Sequence, residues 1–307
     1  MLTKFLLKTA TKYGIIIKNF KGKGGILVTL SEYKKNKEYL VCVDSDGCAM
    51  DTMDIKHITC FGPCMVEEWG LEQWKNEILN RWNEINLYSM TRGINRFKGL
   101  ALALSEINEK YVKIDGVDGL IEWANNAKEL SNGALTIKVN ESDNVCLKKA
   151  LNWSASVNER IKLIPEENKL PFALVKDALT YAHKFADVAI VSSANLDAVL
   201  EEWEKHRLLE HVDIVISQNV CSKAFCIAEL LKKGYDKANV VMCGDAPGDL
   251  QSAKTNGVYF YPILVKDEKA SWQEFINVGL NNLLNNVYGG EYQSKKENQF
   301  IDNLTKK

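Results

Sequence analysis

Two carboxylates, Asp44 and Asp46, stand one residue apart directly after the apolar run Tyr39–Val43, and Gly47 follows them. The run predicts a buried β-strand, and the glycine allows the backbone to turn away from it. A carboxylate buried at a strand end is unfavourable unless it is paired or bound to a metal ion. The spacing therefore indicates an acid pair that binds a cation or acts on a substrate, with a plain acidic turn as the alternative.

Further polar residues follow the next three predicted strands, which are the apolar runs at residues 188–191, 212–217 and 239–243. In chain order these polar residues are Ser192 with Ser193, Lys223, and Asp245 with Asp249. Ligands of an open parallel sheet bind at the carboxyl ends of its strands. We therefore expect the acids, a serine hydroxyl and the lysine ammonium to converge at one edge of the sheet. Of the two serines, the length of the strand favours Ser192.

Converging carboxylates with a hydroxyl and an ammonium indicate phosphoryl transfer. Carboxylate clusters with open coordination positions suit Mg²⁺, which retains water molecules and binds the phosphate oxygens of a substrate. Without a cation, the like charges repel and shift each other's pKa. A hydroxyl and a lysine donate hydrogen bonds to phosphoryl oxygens. A carboxylate also serves as a nucleophile that becomes phosphorylated.

The elements that must position these residues alternate along the second half of the chain. From residue 171 onward the pattern predicts helices at 173–183, 196–206, 222–233, 250–256 and 272–287, with strands between them. Strands separated by helices of this length form a parallel sheet with right-handed crossovers. Residues 48–168 instead show a mainly helical pattern. The sequence therefore predicts an α/β fold in which a mainly α-helical domain is inserted into a parallel sheet core.

These patterns divide the chain into four parts. Residues 1–37 carry nine lysines and one acid and are predicted to form a basic helix and a hairpin packed on the core. Residues 38–48 and 169–290 are the predicted catalytic core, and residues 49–168 are a helical cap that acts as a lid over the strand ends. Residues 291–307 are predicted to be a polar tail that lies on the surface or frays. The glycines within 21–25 favour the hairpin turn over a phosphate-binding loop, because no helix begins after them.

The motifs Asp44-Ser-Asp46-Gly, Ser192, Lys223 and Gly244-Asp-Ala-Pro-Gly-Asp249 resemble, in order and context, the four motifs of the haloacid dehalogenase superfamily. The resemblance covers residues 38–48 and 172–262. It implies a Rossmann-like parallel sheet core that binds Mg²⁺.

The resemblance also implies roles for the acids. Asp44 would be the nucleophile that becomes phosphorylated and also ligates Mg²⁺. Asp46 would be the general acid and base, and its backbone carbonyl would bind the metal too. Asp245 would ligate the metal directly, and Asp249 would orient a metal-bound water.

The remaining motif residues resemble the phosphate-binding groups of the family. Ser192, with Ser193 as the alternative, would hold a phosphoryl oxygen. Lys223 would neutralise the nucleophile and the phosphate. Family members that cleave carbon–halogen bonds or phosphonates lack the second acid of the first motif, so Asp46 favours hydrolysis of a phosphate ester.

A helical cap between the first and second motifs resembles family members that act on small soluble substrates. The sequence is therefore interpreted as a Mg²⁺-dependent phosphoric monoester hydrolase, a phosphatase of a small phosphorylated metabolite. One alternative is a sugar-phosphate mutase of the beta-phosphoglucomutase type. Another is a non-catalytic protein that binds a phosphorylated ligand or regulates a partner.

Within the predicted cap, Arg92 and Arg96 are spaced i, i+4 and share a face if the segment is helical. Arginine is suited to bidentate contacts with anions, so both residues are candidates for gripping a second anionic group of the substrate. A solvated basic turn, or salt bridges to neighbouring acids, is the alternative.

Composition argues against other classes of protein. The net charge of −1 disfavours a dedicated nucleic-acid-binding protein. The sequence has no apolar run of about 18 residues, so we expect no membrane-spanning helix. Eight cysteines scattered through predicted strands and helices fit the reducing cytoplasm better than a disulfide framework. The oligomeric state is left open.

Overall fold

The computed structural model describes residues 16–19, 26–30, 32–217 and 222–305. The chain forms two compact units. One is built from the two ends of the chain, up to Asp51 and from Lys169 onward, and the other comprises Thr52–Asn168. The predicted N-terminal helix and the glycines within 21–25 lie outside the described residues. The strands on either side of those glycines, β1 (Ile16–Asn19) and β2 (Ile26–Thr29), pair antiparallel, in agreement with the predicted hairpin.

The first unit contains a five-stranded parallel sheet with the order β5-β4-β3-β6-β7. Its strands are β3 (Tyr39–Val43), β4 (Ala186–Ser192), β5 (Ile214–Ser217), β6 (Val240–Gly244) and β7 (Tyr259–Pro262). The central strand is β3, which pairs with β4 on one side and with β6 on the other. This sheet confirms the predicted α/β fold with a Rossmann-like core.

Helices flank and connect these strands, because parallel neighbours require a crossover. The helices of this unit are Val175–Ala182, Leu196–Lys205, Lys223–Leu231, Pro247–Asn256, Glu268–Glu274, Leu280–Leu284 and Glu291–Thr305. Their apolar faces and the valine- and isoleucine-rich strands bury one another. Trp203 and Trp272 are completely buried in this core.

The second unit is helical and has a hydrophobic core of its own. Its helices are Met53–Lys56, Gly62–Trp69, Lys75–Leu87, Arg96–Lys110, Val117–Asn126, Asn132–Asn140 and Val145–Lys162, with a π-helical segment at His57–Phe61. Trp82 and Trp153 are fully buried and meet edge to face, with ring centroids 6.0 Å apart. The Trp153 indole N–H donates to the Phe61 carbonyl at 3.1 Å.

The chain leaves and re-enters the first unit at one place. Met50 forms an antiparallel bridge with Pro171. The Asp51 N–H donates to the Leu170 carbonyl at 2.8 Å, and the Phe172 N–H donates to the Ala49 carbonyl at 3.0 Å. These bonds tie together the two ends of the insertion, directly after the loop that carries Asp44 and Asp46.

The C-terminal region differs from the expectation. The single helix predicted at 272–287 is divided into Glu268–Glu274, a π-helical segment Phe275–Gly279 and Leu280–Leu284. The predicted polar tail is instead a regular helix, Glu291–Thr305, whose residues Lys296, Phe300 and Leu304 are buried. Their i, i+4 spacing gives the helix one face that packs on the core, which composition alone did not reveal.

In the part of the chain that the structure describes, every helix is too short or too polar to cross a membrane.

Candidate active site

Asp44 and Asp245 lie side by side because their strands are neighbours. Val43 is in register with Cys243, so the residues that follow the two strands emerge at the same edge. The Asp44 N–H donates to the Cys243 carbonyl at 3.0 Å, which extends the ladder by one bond beyond β3. The pairing therefore brings together two acids that are far apart in the chain.

Asp249 completes a cluster of carboxylates. Asp44, Asp245 and Asp249 each offer an oxygen, and the three atoms lie within 4.8 Å of one another. The three residues are only 7%, 1% and 0% exposed, respectively. Among the described residues, these three acids form a group whose oxygens are close enough together to hold one metal ion.

The turn after β6 holds Asp249 in place. Pro247 begins the next helix, and Asp249 lies in its first turn, where its Oδ2 accepts from the Ala246 N–H at 3.1 Å. A Cβ atom on Gly244 would lie 2.4 Å from the Asp249 side chain. Glycine is therefore required at 244 for the carboxylate to approach the strand end.

Lys223 joins two of the three acids. Its Nζ lies 2.6 Å from Asp44 Oδ2 and 2.5 Å from Asp249 Oδ1. Lys223 is the first residue of its helix, which Ser222 caps by accepting from the Phe225 N–H at 3.3 Å. Burial lowers the pKa of Lys223, but Asp249 and Asp44 outweigh this and raise it well above its ordinary value. The lysine is therefore charged and neutralises part of the cluster.

The surroundings shift the pKa values of the carboxylates even though Lys223 lies beside them. Burial raises the pKa of Asp44 to about 6, although the Lys223 ammonium acts in the opposite direction. Burial also raises the pKa of Asp249, which Lys223 opposes and the Asp245 charge reinforces. A site with three buried acids and one ammonium has an excess of negative charge, which favours binding of a further cation.

The donor set fits Mg²⁺. All three side chains offer hard carboxylate oxygens, which that ion prefers. Cys48 lies beside the site and is fully buried, but burial raises the pKa of its thiol well above the ordinary value. It is therefore held as a neutral thiol, which is a poor ligand.

Asp46 is in the same loop but is not one of the three acids whose oxygens lie within 4.8 Å of one another. Asp46 is half-buried, and its backbone bridges to Met50. The Gly47 N–H donates to the Met50 carbonyl at 2.9 Å, so the loop closes immediately after the second acid. Gly47 has a φ of 81°, which a residue with a side chain rarely adopts.

Ser192 ends β4 at the edge that carries Asp44. Ile190 is in register with Val43, and Ser192 lies two residues further along. Ser192 is buried and its Oγ accepts from the Ala194 N–H at 3.1 Å, whereas Ser193 is exposed.

The two cap arginines do not share a helical face, because the helix begins at Arg96 and Arg92 precedes it. The Arg92 side chain is 1% exposed, donates to the Leu87 carbonyl at 2.8 Å and lies 3.9 Å from Asp54. The guanidinium therefore helps to hold its own unit together, and contact of Arg92 with substrate stays a prediction.

Arg96 is also engaged within the helical unit. Its Nη1 donates to Ser154 Oγ at 3.1 Å and to Asn158 Oδ1 at 2.8 Å, and the guanidinium lies over the Phe61 ring, 4.9 Å from its centroid. Burial lowers the pKa of Arg96 to about 10, because the charged guanidinium loses contact with water. Arg96 therefore stays a candidate anion-binding residue of this unit.

Two contacts that hold the site elements together are not predicted by the sequence patterns. The Trp203 indole N–H donates to Ser45 Oγ at 2.9 Å. The Asn256 amide donates to the Ala224 carbonyl at 2.9 Å, which ties the helix of Lys223 to the helix of Asp249. Local spacing gives no signal for either contact, because each joins residues from separate elements.

Comparison with known proteins adds a family match. Residues 126–263 match the model of haloacid dehalogenase-like hydrolases, a stretch that contains Ser192, Lys223, Asp245 and Asp249. No curated protein matches the chain significantly.

Similar backbones occur among solved structures. A haloacid dehalogenase-like family hydrolase from Streptococcus pneumoniae is 11% identical, with a TM-score of 0.44 over 76% of this chain and 90% of that chain. A haloacid dehalogenase-like family hydrolase from Xanthomonas campestris is 12% identical, with a TM-score of 0.45 over 87% of this chain and 97% of that chain.

Proposed function

We propose that this chain, whose residues 126–263 match the model of haloacid dehalogenase-like hydrolases, is a phosphatase that hydrolyses a small phosphorylated metabolite through a phosphorylated Asp44. The observation that carries the proposal is the contact of Lys223 with both Asp44 and Asp249 beside Asp245. A buried carboxylate with an adjacent ammonium is suited to attack a phosphoryl group, because the ammonium offsets the charge repulsion between nucleophile and phosphate.

In the first step, an Asp44 carboxylate oxygen attacks the phosphorus atom of the ester. The bond from phosphorus to the ester oxygen breaks, and protonated Asp46 gives its proton to the departing alcohol. The products of this step are the free alcohol and an aspartyl-phosphate at Asp44.

In the second step, a water molecule attacks the phosphorus atom of the aspartyl-phosphate. Asp46, now a carboxylate, accepts a proton from that water. The bond between phosphorus and Asp44 breaks, which releases inorganic phosphate and restores both acids for another turnover.

Asp44, Asp245 and Asp249, with the backbone carbonyl of Asp46, would hold a Mg²⁺ ion. When bound, the ion supplies positive charge that stabilises the negatively charged phosphoryl group in the transition state. Lys223 and Ser192 act on the same phosphoryl oxygens by donating hydrogen bonds, and Ser192 is favoured over Ser193 because it is the buried one.

The inserted helical unit is proposed to limit the size of the substrate. The helical unit is inserted directly after the acid loop, and the chain returns through Leu170, which is bonded to Asp51. We assign to this unit the selection of a small phosphorylated metabolite. A reducing compartment such as the cytoplasm suits the seven cysteines of the described chain, which are all buried and are not joined in disulfides.

The deciding experiment is hydrolysis of p-nitrophenyl phosphate with and without Mg²⁺, followed by a screen of phosphorylated metabolites. We expect Mg²⁺-dependent release of phosphate, and a loss of about a thousandfold or more in kcat for Asp44→Asn. Asp302→Asn changes an exposed acid of the C-terminal helix and is the matched control.

Three results would contradict the proposal. Full activity of Asp44→Asn would exclude Asp44 as the nucleophile. Return of the phosphoryl group to a sugar phosphate, with a requirement for a bisphosphate activator, would identify a mutase, and binding without turnover would identify a non-catalytic protein.

A further inference from the structure

Ser45 lies between the two acids of the loop and is completely buried. Its Oγ accepts a hydrogen bond from Trp203 Nε1 at 2.9 Å. Trp203 belongs to the helix Leu196–Lys205, which follows β4, so the bond joins the acid loop to a separate element of the same unit. This bond favours the Ser45 rotamer that places Oγ against the indole N–H.

The backbone of Ser45 organises the rest of the loop. Its N–H donates to Asp44 Oδ1 at 2.7 Å. Its carbonyl accepts from the N–H groups of Cys48, Ala49 and Met50 at 3.3, 2.9 and 2.8 Å. Every backbone polar group of Ser45 is therefore used to set the path of the loop, and one of them holds the Asp44 carboxylate directly.

The donor is rigid. Trp203 is 0% exposed and packs in the core with Leu196 and Val199 of its own helix. The Leu208 N–H donates to the Trp203 carbonyl at 2.9 Å, which fixes the end of the helix. A second buried indole, Trp272, donates to the Cys48 carbonyl at 3.1 Å. The loop is thus held at both ends by tryptophan N–H groups that have little freedom to move.

We propose that Trp203 is a positioning residue that aligns Asp44 and Asp46 for reaction through its hydrogen bond to Ser45, an inference that rests on the proposed phosphatase function. The reacting oxygen of Asp44 must lie in line with the departing oxygen, and a small change in its direction lowers the rate of an in-line displacement. In this role Trp203 acts through Ser45 and is not itself required to touch substrate or the reacting atoms. Its loss is therefore expected to reduce turnover while leaving substrate affinity nearly unchanged.

The test compares Trp203→Phe, Ser45→Ala and the double variant in p-nitrophenyl phosphate hydrolysis with Mg²⁺. Phenylalanine keeps an aromatic ring in the core and removes the N–H donor. We expect each single variant to lose about tenfold in kcat, with KM within about twofold of wild type. The double variant should be no slower than the slower single variant, because both changes break the same bond.

Trp153→Phe is the matched control. It removes the indole bond to Phe61 from an equally buried tryptophan of the helical unit. We expect it to lower the thermal unfolding temperature to a similar extent as Trp203→Phe and to leave kcat within about twofold of wild type. All rates are measured at a temperature at which each variant is folded by circular dichroism.

The outcomes separate the two proposals. Wild-type kcat in Trp203→Phe, or losses that multiply in the double variant, would overturn the positioning role while the phosphatase function stands. A kcat loss in Trp153→Phe equal to that in Trp203→Phe would also overturn it, since general destabilisation would then explain both. If Ser45→Ala alone fails to fold, the comparison of Trp203→Phe with Trp153→Phe still decides. A wild-type chain that is inactive on every phosphate ester would overturn the phosphatase function and this inference with it.

Discussion

Lys223 Nζ lies 2.6 Å from Asp44 Oδ2, and the same ammonium lies 2.5 Å from Asp249 Oδ1. The lysine comes from the start of a helix, Asp44 from the end of the central strand, and Asp249 from the first turn of another helix. Three elements thus meet at one ammonium group. A single positive charge balances part of a buried cluster that would otherwise repel itself.

Lys223→Met is expected to lower kcat by about a hundredfold or more, because the phosphoryl group loses a charged donor. The same change leaves Asp44 and Asp249 without their ammonium, so the unfolding temperature in EDTA should fall as well. Lys232→Met is the control, since Lys232 is near the other end of the helix and pairs with Glu229 at the surface. Steady-state kinetics and thermal scans check both variants. Unchanged kcat in Lys223→Met would show that the lysine has a structural role only.

Asp245→Asn is expected to abolish stabilisation by Mg²⁺. A ligand that binds only the folded state raises the unfolding temperature with its concentration, and this variant replaces one of the three carboxylates with an uncharged amide. In EDTA the variant should unfold at an equal or higher temperature than wild type, because one charge of a repelling cluster is gone. Thermal scans across a Mg²⁺ titration measure this without any substrate. A variant that responds to Mg²⁺ as wild type does would place the ion elsewhere.

Gly244→Ala is expected to displace Asp249, because the new methyl group would lie 2.4 Å from the Asp249 side chain. That carboxylate carries the bonds to Ala246 and Lys223 and cannot move without breaking them. We expect about a hundredfold loss of kcat and a lower unfolding temperature. In Gly248→Ala the added methyl group meets open space, so this variant should keep wild-type activity. Equal activity of both alanine variants would contradict the close approach at 244.

The pKa of Asp44 predicts a pH dependence of stability in the absence of metal. Its folded-state pKa is about 6, above the ordinary value of 3.8, so the folded state binds this proton more tightly than the unfolded state. The stability contributed by the protonated group is complete below about pH 4 and is lost as the pH rises through about 6. Asp44→Asn carries no such proton. As the pH rises from about 4 to about 6, its unfolding temperature in EDTA should therefore rise relative to that of wild type, and the difference should level off at higher pH. A difference that stays constant over this range would show that the pKa is not raised.

Ser192→Ala and Ser193→Ala separate the two serines. Ser192 is buried at the end of β4, and its hydroxyl is one of the groups proposed to hold a phosphoryl oxygen. We expect its removal to lower kcat/KM by about tenfold to a hundredfold, whereas Ser193→Ala should stay close to wild type because Ser193 is exposed. Kinetics with p-nitrophenyl phosphate check the pair. The reverse order of effects would make Ser193 the phosphate-binding residue.

Much of the core could be predicted from local patterns. The strand Tyr39–Val43 has the predicted bounds, and β4, β5 and β6 agree with the predicted runs to within two residues at either end. Apolar runs indicate strands that are buried within a sheet. The glycine and aspartate residues that follow them indicate the strand ends, where polar groups reach the edge of the sheet. The C-terminal helix was missed because its buried face consists of few residues among many polar ones.

The cap arginines show where local pattern fails. Their spacing suggested a shared helical face, but Asn95 caps the helix by accepting from the Phe97 N–H at 2.9 Å. Arg92 therefore lies in a turn and its side chain enters the interior of the helical unit. The capping residue decides where a helix begins to within one or two residues. An error of that size in the predicted start of the helix changes which side chains are expected to share a face.

The sequence by itself determined the chemical inventory of this protein and the order of its elements, because residue types and apolar periods are local properties. Tertiary structure decided which groups meet: the register of β3 with β6 brings Asp44 to Asp245, and the packing of Trp203 fixes Ser45. Such contacts depend on strand order and on side chains from separate elements, which no local spacing encodes. Only the folded sheet turns scattered acids into one buried, partly neutralised cluster.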